Sequence, residues 1–332
     1  MAAAQAQAVQ SETDPVIVTD RLSRRFGGIA AVREMSLTVP AGSICGFIGA
    51  NGAGKTTTLK VLMNLMRPSS GTAMVLGVDS RQLGPRELAQ IGYVSENQEL
   101  PHEMSVRDLF AYVRPFYPTW DDALCERLRR LLDLPRDQRL RTLSRGMRMK
   151  AALVASLAFR PRLVVMDEPF SGLDPVMRDD LVQGILELAG DGMRWSAIIS
   201  SHDLFEIERL IDHVAFLQEG RLIFSEPIAA LQARFRQIEI VAPGDGDAAL
   251  PSPPTPTPSS WFAVQVSPRT LRFVHSGYVR DETERDLAAR FPGAQIQTGP
   301  VSLRDTFVAL ARERRRQQDQ QQEQRTEQEA RA

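Results

Sequence analysis

The sequence predicts an α/β fold. Three short apolar runs, Ser43–Ile48, Leu163–Met166 and Ser196–Ser200, have the length of buried strands. Each is followed by residues that carry chemistry: a glycine-rich turn, an acidic pair, and the run Ser201-His202-Asp203. After the first, Leu59, Leu62, Met63 and Met66 recur at helical spacing, so the glycine-rich turn joins a strand to a helix.

That turn is Gly49-Ala50-Asn51-Gly52-Ala53-Gly54-Lys55-Thr56-Thr57, which fits the phosphate-loop spacing G-x-x-x-x-G-K-[ST]. Gly49, Gly52 and Gly54 let backbone N–H groups curl around an anion without Cβ clashes. Lys55 brings a positive charge to the β- and γ-phosphates, and Thr56 offers a hydroxyl to Mg²⁺. Asn51, Ala53 and Thr57 complete the cradle at the helix N-terminus, where an anion is favoured. The competing reading is a glycine turn that binds nothing, but average composition gives a chance match in roughly one such chain in a hundred.

Around this loop the chain reads in order. Pro15 to Thr19 is a first strand. Phe26, before Gly27-Gly28, is either core packing or a platform for adenine. Met35–Val39 is a strand before the turn Pro40-Ala41-Gly42. The helix after the loop stops at Arg67-Pro68, and Thr72–Leu76 is again a strand. Arg86–Gln90 is a short helix. Glu96 and Gln98 directly follow the strand-like Ile91-Gly92-Tyr93-Val94; either one meets Mg²⁺ or the attacking water, or the segment is a solvated loop. Ser105 to Ala158 reads mainly as helix, with Ser105 and Asp108 as an imperfect capping box. Its aromatics Phe110, Tyr112, Phe116, Tyr117 and Trp120 are either core or a groove for a partner helix. Ser144 N-caps a helix running to about Phe159.

Leu163–Met166 ends in Asp167-Glu168. A buried strand has no packing need for paired acids, whereas adjacent carboxylates suit metal binding and activation of a water. Asp167 is expected to hold the metal and Glu168 to orient or deprotonate the water; the alternative is a solvent-facing strand end. Ser171-Gly172-Leu173-Asp174-Pro175 is a turn before a helix to about Leu188. His202 follows a strand expected beside Leu163–Met166, within reach of a γ-phosphate, although a lone histidine at a strand end is more often structural. Val214–Gln218 and Arg221–Phe224 form a hairpin, and Pro227–Phe235 a short helix. Strands at Gln237–Val241, Trp261–Val266, Leu271–His275 and Ala294–Gln297 follow, with helices at Glu282–Phe291 and from Val301.

Composition excludes several classes. A net charge of -1 gives no global basic signal for nucleic acid. Two cysteines make no disulfide framework: Cys45 lies in an apolar strand and Cys125 in a charged helix. The apolar runs fall far short of a membrane span of roughly 18 residues. The first residues lack the basic start and apolar block of a secretory signal.

The order and spacing of these pieces resemble the nucleotide-binding subunit of an ATP-binding cassette (ABC) transporter, over about Val16 to Phe235. Phe26 matches the adenine-stacking aromatic, and Gly49 to Thr57 the phosphate loop. Leu143 to Met147 stands at the family signature, Leu163 to Glu168 at the acidic strand, Ser171 to Asp174 at the D-loop, and His202 at the switch histidine. The resemblance implies a P-loop fold of ABC type, with a mixed sheet core, an antiparallel β subdomain and a helical subdomain. It implies ATP and Mg²⁺ as ligands and ATP hydrolysis, with Lys55, Glu168 and His202 catalytic. A second nucleotide-binding subunit, identical or sister, would supply Ser144, Gly146 and Asp174 across a sandwiched ATP. A separate transmembrane permease would be driven from the cytoplasmic face of the membrane, and no nucleic acid is expected. Two motifs depart from the pattern, at Arg145 and Met147 in one and at Glu96 in the other. The signature, usually Leu-Ser-Gly-Gly-Gln, reads Leu-Ser-Arg-Gly-Met, and Glu96 stands at the Q-loop glutamine position. Both variants resemble exporter-type ATPases.

The expected organisation is a disordered tail (1–14), an ATP-binding domain (15–236) with its helical subdomain at about 97–160, and a C-terminal α+β appendage (237–311). The appendage includes a Pro-rich linker (243–260), and a charged tail (312–332) follows it. Two other functions compete: a soluble cassette ATPase acting on nucleic acid or the ribosome, and a regulator that binds ATP without useful turnover. The first predicts two cassettes or a long coiled coil between loop and signature, and the sequence has neither. The intact Asp167, Glu168 and His202 argue against the second.

Overall fold

The computed structural model describes residues 14–190, 195–243, 250, 252–303 and 305–308. The expected tails, apart from Asp14, and positions 244–249 and 251 of the Pro-rich segment lie outside the described residues. The chain divides into two compact units, Met1–Pro227 and Ile228–Ala332.

The first unit runs β1 (Ile17–Phe26), β2 (Ile29–Met35), β3 (Thr38–Val39), β4 (Ile44–Gly49), α1 (Lys55–Leu62), β5 (Ser70–Val75), β6 (Val78–Asp79), α2 (Pro85–Leu88) and β7 (Ile91–Ser95). It continues through α3 (Val106–Val113), α4 (Asp122–Leu131), α5 (Arg145–Leu157), β8 (Leu163–Asp167), α6 (Pro175–Gly190), β9 (Ser196–Ser201), β10 (His213–Gln218) and β11 (Arg221–Pro227). Two sheets result. One is antiparallel, in the order β2-β1-β5-β6 with β3 also on β1. The other runs β11-β10-β4-β9-β8-β7 and is parallel except for the β10–β11 hairpin. Between them lies a core of Ile17, Leu22, Phe47, Leu59, Leu62, Val75, Val165 and Ile198, all fully buried.

Several elements differ from the sequence reading. The first strand extends to Phe26 and pairs with a second strand, Ile29–Met35, that the sequence did not mark. Most of that partner's side chains are half-buried or exposed, so it lacks an apolar alternation. The expected strand Met35–Val39 is split, with Met35 closing β2 and Thr38–Val39 pairing with Ile17–Val18. α1 stops at Leu62 rather than near Met66, because Asn64 turns left-handed at φ 57°. The long helical stretch is three α-helices joined by the segments 114–121 and 132–144, each of which includes one 3-10 turn. Each begins at a polar cap. Ser105 and Asp108 exchange reciprocal hydrogen bonds at the start of α3. Asp121 accepts from the Leu124 N–H, and Ser144 from the Met147 N–H. Each cap contributes about 1 kcal/mol. Half-buried Tyr117 stacks on buried Phe159, and buried Phe110 packs near half-buried Trp120, so these aromatics pack against the helices of this region. Tyr112 and Phe116 meet edge to face and stay exposed.

The second unit contains α7 (Ile228–Arg234), β12 (Arg236–Val241), β13 (Trp261–Val266), β14 (Thr270–His275), α8 (Arg280–Arg290) and β15 (Gln295–Pro300). Its antiparallel sheet has the order β13-β14-β12-β15. Trp261 stacks on Phe273 at 3.9 Å, and Leu287 and Phe291 of α8 join that core. The sequence boundary after 236 thus differs from the division after Pro227. Arg234 binds the Ser276 carbonyl and accepts from the Tyr278 N–H, which ties α7 to the second unit.

Candidate functional site

The parallel register sets four strand ends level. Ser95 stands opposite Asp167, Asp167 opposite Ser200, and Ile48 opposite Ser201. The loops leaving β4, β7, β8 and β9 therefore emerge at one carboxyl edge, where α/β sheets gather ligand-binding residues.

The loop after β4 is shaped by glycines with different tasks. A Cβ on Gly49 would come 2.5 Å from the Leu217 carbonyl oxygen, and one on Gly54 would overlap the Ala31 carbonyl oxygen. Gly52 faces open space but sits at φ 80°, and Gly54 at φ 100°, conformations that disfavour a side chain. Ala53 closes the turn on the Ala50 carbonyl at 3.0 Å and accepts from the Gly220 N–H at 3.1 Å. Asn51 is exposed, and Thr57 lies half-buried in the first turn of α1. Lys55 is only 5% exposed. Its Nζ donates to the Gly49 and Ala50 carbonyls at 2.5 and 3.2 Å and lies 3.0 Å from Glu168 Oε1.

Asp167 is buried at the end of β8 and is held from two sides. Thr56 Oγ1 donates to its Oδ1 at 2.9 Å and Ser200 Oγ at 2.8 Å. Ser200 Oγ also accepts the Glu168 N–H at 2.9 Å. Glu168 sits at φ 50°, a conformation that costs a non-glycine residue about 1–3 kcal/mol and persists where surroundings hold it. The hold is visible: Oε1 meets Lys55, and Oε2 lies 2.8 Å from His202 Nδ1. Burial pushes the Glu168 carboxyl up, but the His202 hydrogen bond and the Lys55 charge and hydrogen bond outweigh it. The net result lies below the ordinary glutamate value. The anion is therefore the form present at neutral pH.

The other expected residues lie apart from this cluster. Phe26, 43% exposed, ends β1 with the Arg24 guanidinium 4.6 Å over its ring. Its hairpin reaches the phosphate loop through the Ala31 carbonyl beside Gly54. Ser144 is exposed at the start of α5, and a Cβ on Gly146 would run into Met177 of α6. Asp174 caps α6 by accepting the Met177 N–H at 2.9 Å. Among the described residues, no hydrogen bond joins Phe26, Ser144, Gly146 or Asp174 to Lys55, Asp167, Glu168 or His202. Glu96 is held at this edge through its main chain. Its N–H donates to the Asp167 carbonyl, but its carboxylate is engaged by Arg145 and the Ser171 hydroxyl. Gln98 is exposed and lines a cavity of about 360 Å³ with Glu96, His102, Arg141, Arg145 and Arg148.

A family model described as "ABC transporter" matches residues 32–171. The bacitracin transport ATP-binding protein BcrA of Bacillus licheniformis is 30% identical over 224 residues, covering 67% of this chain and 73% of that protein. The chain belongs to the ABC transporter ATP-binding family. The Nod factor export ATP-binding protein I of Cupriavidus metallidurans is 32% identical over 203 residues, 60% of this chain and 66% of that protein. A solved ATP-binding subunit of an ABC transporter superposes with a TM-score of 0.59 at 26% identity, covering 66% of this chain and 92% of that one.

In this ABC subunit, three residues that the sequence did not single out, Ser200, Arg178 and Glu206, support the cluster. Ser200 bridges Asp167 and Glu168. Ser201 Oγ lies 2.8 Å from Glu206 Oε2, and Glu206 Oε1 pairs with Arg178 at 3.2 Å. Arg178 also donates to the Leu173 carbonyl, so this chain of contacts ties the start of α6 to the loop that carries His202. The only sequence signal was spacing: Arg178 follows Asp174 by four residues, and Glu206 follows His202 by four.

Proposed function

We propose that this ABC ATP-binding subunit hydrolyses ATP to ADP and phosphate and thereby drives export through a separate transmembrane permease. The observation that carries the proposal is the position of Glu168, a half-buried anion between Lys55 and His202 beside a metal-competent Asp167. In this mechanism the phosphate loop binds the ATP phosphates through its backbone N–H groups, and Lys55 neutralises β- and γ-oxygens. Glu168 orients a water for in-line attack and takes its proton as the new O–P bond forms. The bond from the γ-phosphorus to the bridging oxygen breaks, and ADP leaves with that electron pair. His202, held by Glu168, donates a hydrogen bond to the γ-phosphate. Thr56 Oγ1 and Asp167 Oδ1 are hard oxygen donors meeting at one point, a set that fits Mg²⁺; when bound, the ion supplies charge neutralisation at the phosphate oxygens.

Phe26 stacks on adenine in this reading. Ser144, Gly146 and Asp174 act across a head-to-tail interface on the ATP held by a second subunit, identical or sister. An anion at the capped N-terminus of α5 is favoured by the helix dipole and the N–H groups of its first turn. No described helix is long and apolar enough to cross a membrane. In this reading the subunit is peripheral, on the cytoplasmic face, and works through a separate permease. Export rests on the resemblance to the Nod factor protein named above. The test is capture of the tagged chain from gently solubilised membranes, with ATP turnover measured on the eluate. A co-purifying multi-span protein with ATPase activity is expected. Recovery of only soluble protein or ribosomes, with activity intact, would contradict the proposal and favour the soluble alternative.

A further inference from the structure

Glu96 and Arg145, separated by 49 positions, are each other's ion-pair partner. The pair is not isolated. Ser171 Oγ donates to the same Glu96 oxygen at 3.1 Å, and a Cβ on Gly172 would come 3.0 Å from the Arg145 guanidinium. The main chain of Glu96 is meanwhile anchored to the Asp167 carbonyl at 3.0 Å. Three segments thus meet on one carboxylate: the loop after β7, the first residue of α5, and the turn after β8. Glu96 is 27% and Arg145 47% exposed, so water reaches the pair but does not surround it.

Two consequences follow from the geometry. The Glu96 carboxylate is committed to a guanidinium and a hydroxyl, which removes it from competition with Asp167 for a cation. The Arg145 side chain is drawn toward Glu96 and Gly172, which leaves Ser144 exposed at the α5 terminus. An arginine at the first helical position would otherwise be free to cover that terminus or to bind a phosphate in place of the helix N–H groups. We propose that Arg145 is a positioning residue that acts through Glu96 as a latch within one subunit, setting the α5 terminus relative to the loop after β7. Glu96 and Arg145, two of the three residues that depart from the family pattern, are then one coupled feature. This inference rests on the function proposed above only for its effect on ATP-dependent pairing of subunits. The latch itself is a property of the single chain.

Two measurements on the full chain test it. Hydrogen exchange without nucleotide reads the latch directly: Arg145→Gly should speed exchange in the loop at 96–100, and Glu96→Gln should speed it at 145–149. Unchanged exchange in the opposite segment would overturn the latch. The second measurement is ATP-dependent dimer formation in a Glu168→Gln background, by size exclusion. Each single variant should weaken dimer formation by about two- to fivefold, as expected for one partly exposed charge pair. Glu96→Gln/Arg145→Gly should lose no more than the weaker single variant, because either substitution alone already opens the latch. Additive losses in the double variant would overturn the coupling. A Glu168→Gln parent that never dimerises with ATP would instead count against the proposed function, and the exchange data would still decide the latch.

Discussion

Replacing Arg178 with methionine removes one charge from a buried pair and leaves its partner in place. Glu206 is 5% exposed at its side chain and Arg178 28%. Without Arg178 the carboxylate keeps only the Ser201 hydroxyl on its other oxygen. Breaking a fully buried pair costs about 3–5 kcal/mol. The opening on the Arg178 side lets water reach Glu206, so about 2–3 kcal/mol is expected here. For a unit of this size each kcal/mol lowers the melting temperature by about 2–4 °C, which gives a drop of roughly 4–12 °C. The assay is thermal unfolding followed by tryptophan fluorescence in a Trp261→Phe background, so that Trp120 and Trp195 report the first unit alone. Arg178→Met/Glu206→Gln should lose less than Arg178→Met, because no unpaired charge remains. A drop below about 1 °C in Arg178→Met, or a double variant worse than the single one, would refute the reasoning.

Other outcomes follow from the same geometry. Gly54→Ala places a Cβ against the Ala31 carbonyl and at φ 100°, so it should weaken binding of a fluorescent ATP analogue far more than Gly52→Ala. The latter carries only the left-handed penalty of about 1–2 kcal/mol. Glu168 is held below its ordinary value of 4.5, so it contributes stability that is present above pH 4.5 and lost as pH falls through the folded value. Melting temperatures followed from neutral into acid should show a steeper acid loss in the wild type than in Glu168→Gln.

Local features were legible in the sequence because their information is local. The phosphate loop, the acidic end of β8 and the caps at Ser105 and Ser144 each depend on a handful of adjacent residues. What could not be read depends on partners far apart in the chain. Glu96 looked like a metal ligand because it follows a strand at the ligand edge; its actual partners, Arg145 and Ser171, lie 49 and 75 positions away. Ser200 reads as one more residue of an apolar strand, yet its hydroxyl bridges both acids. Arg178 and Glu206 resemble ordinary solvent-facing charges until the fold buries them against each other. β2 was missed for the opposite reason: its side chains are mostly outside the core, and its strand character comes from pairing with β1.

The central claim is that Glu168 serves the attacking water while Lys55 and Asp167 serve the phosphates and their metal. Single-turnover hydrolysis of preloaded ATP by Glu168→Gln tests it most directly. The account predicts that the variant binds ATP as the wild type does but releases phosphate roughly 10²–10⁴-fold more slowly, the range of a lost general base. Phosphate release at the wild-type rate, with ATP binding intact, would contradict it.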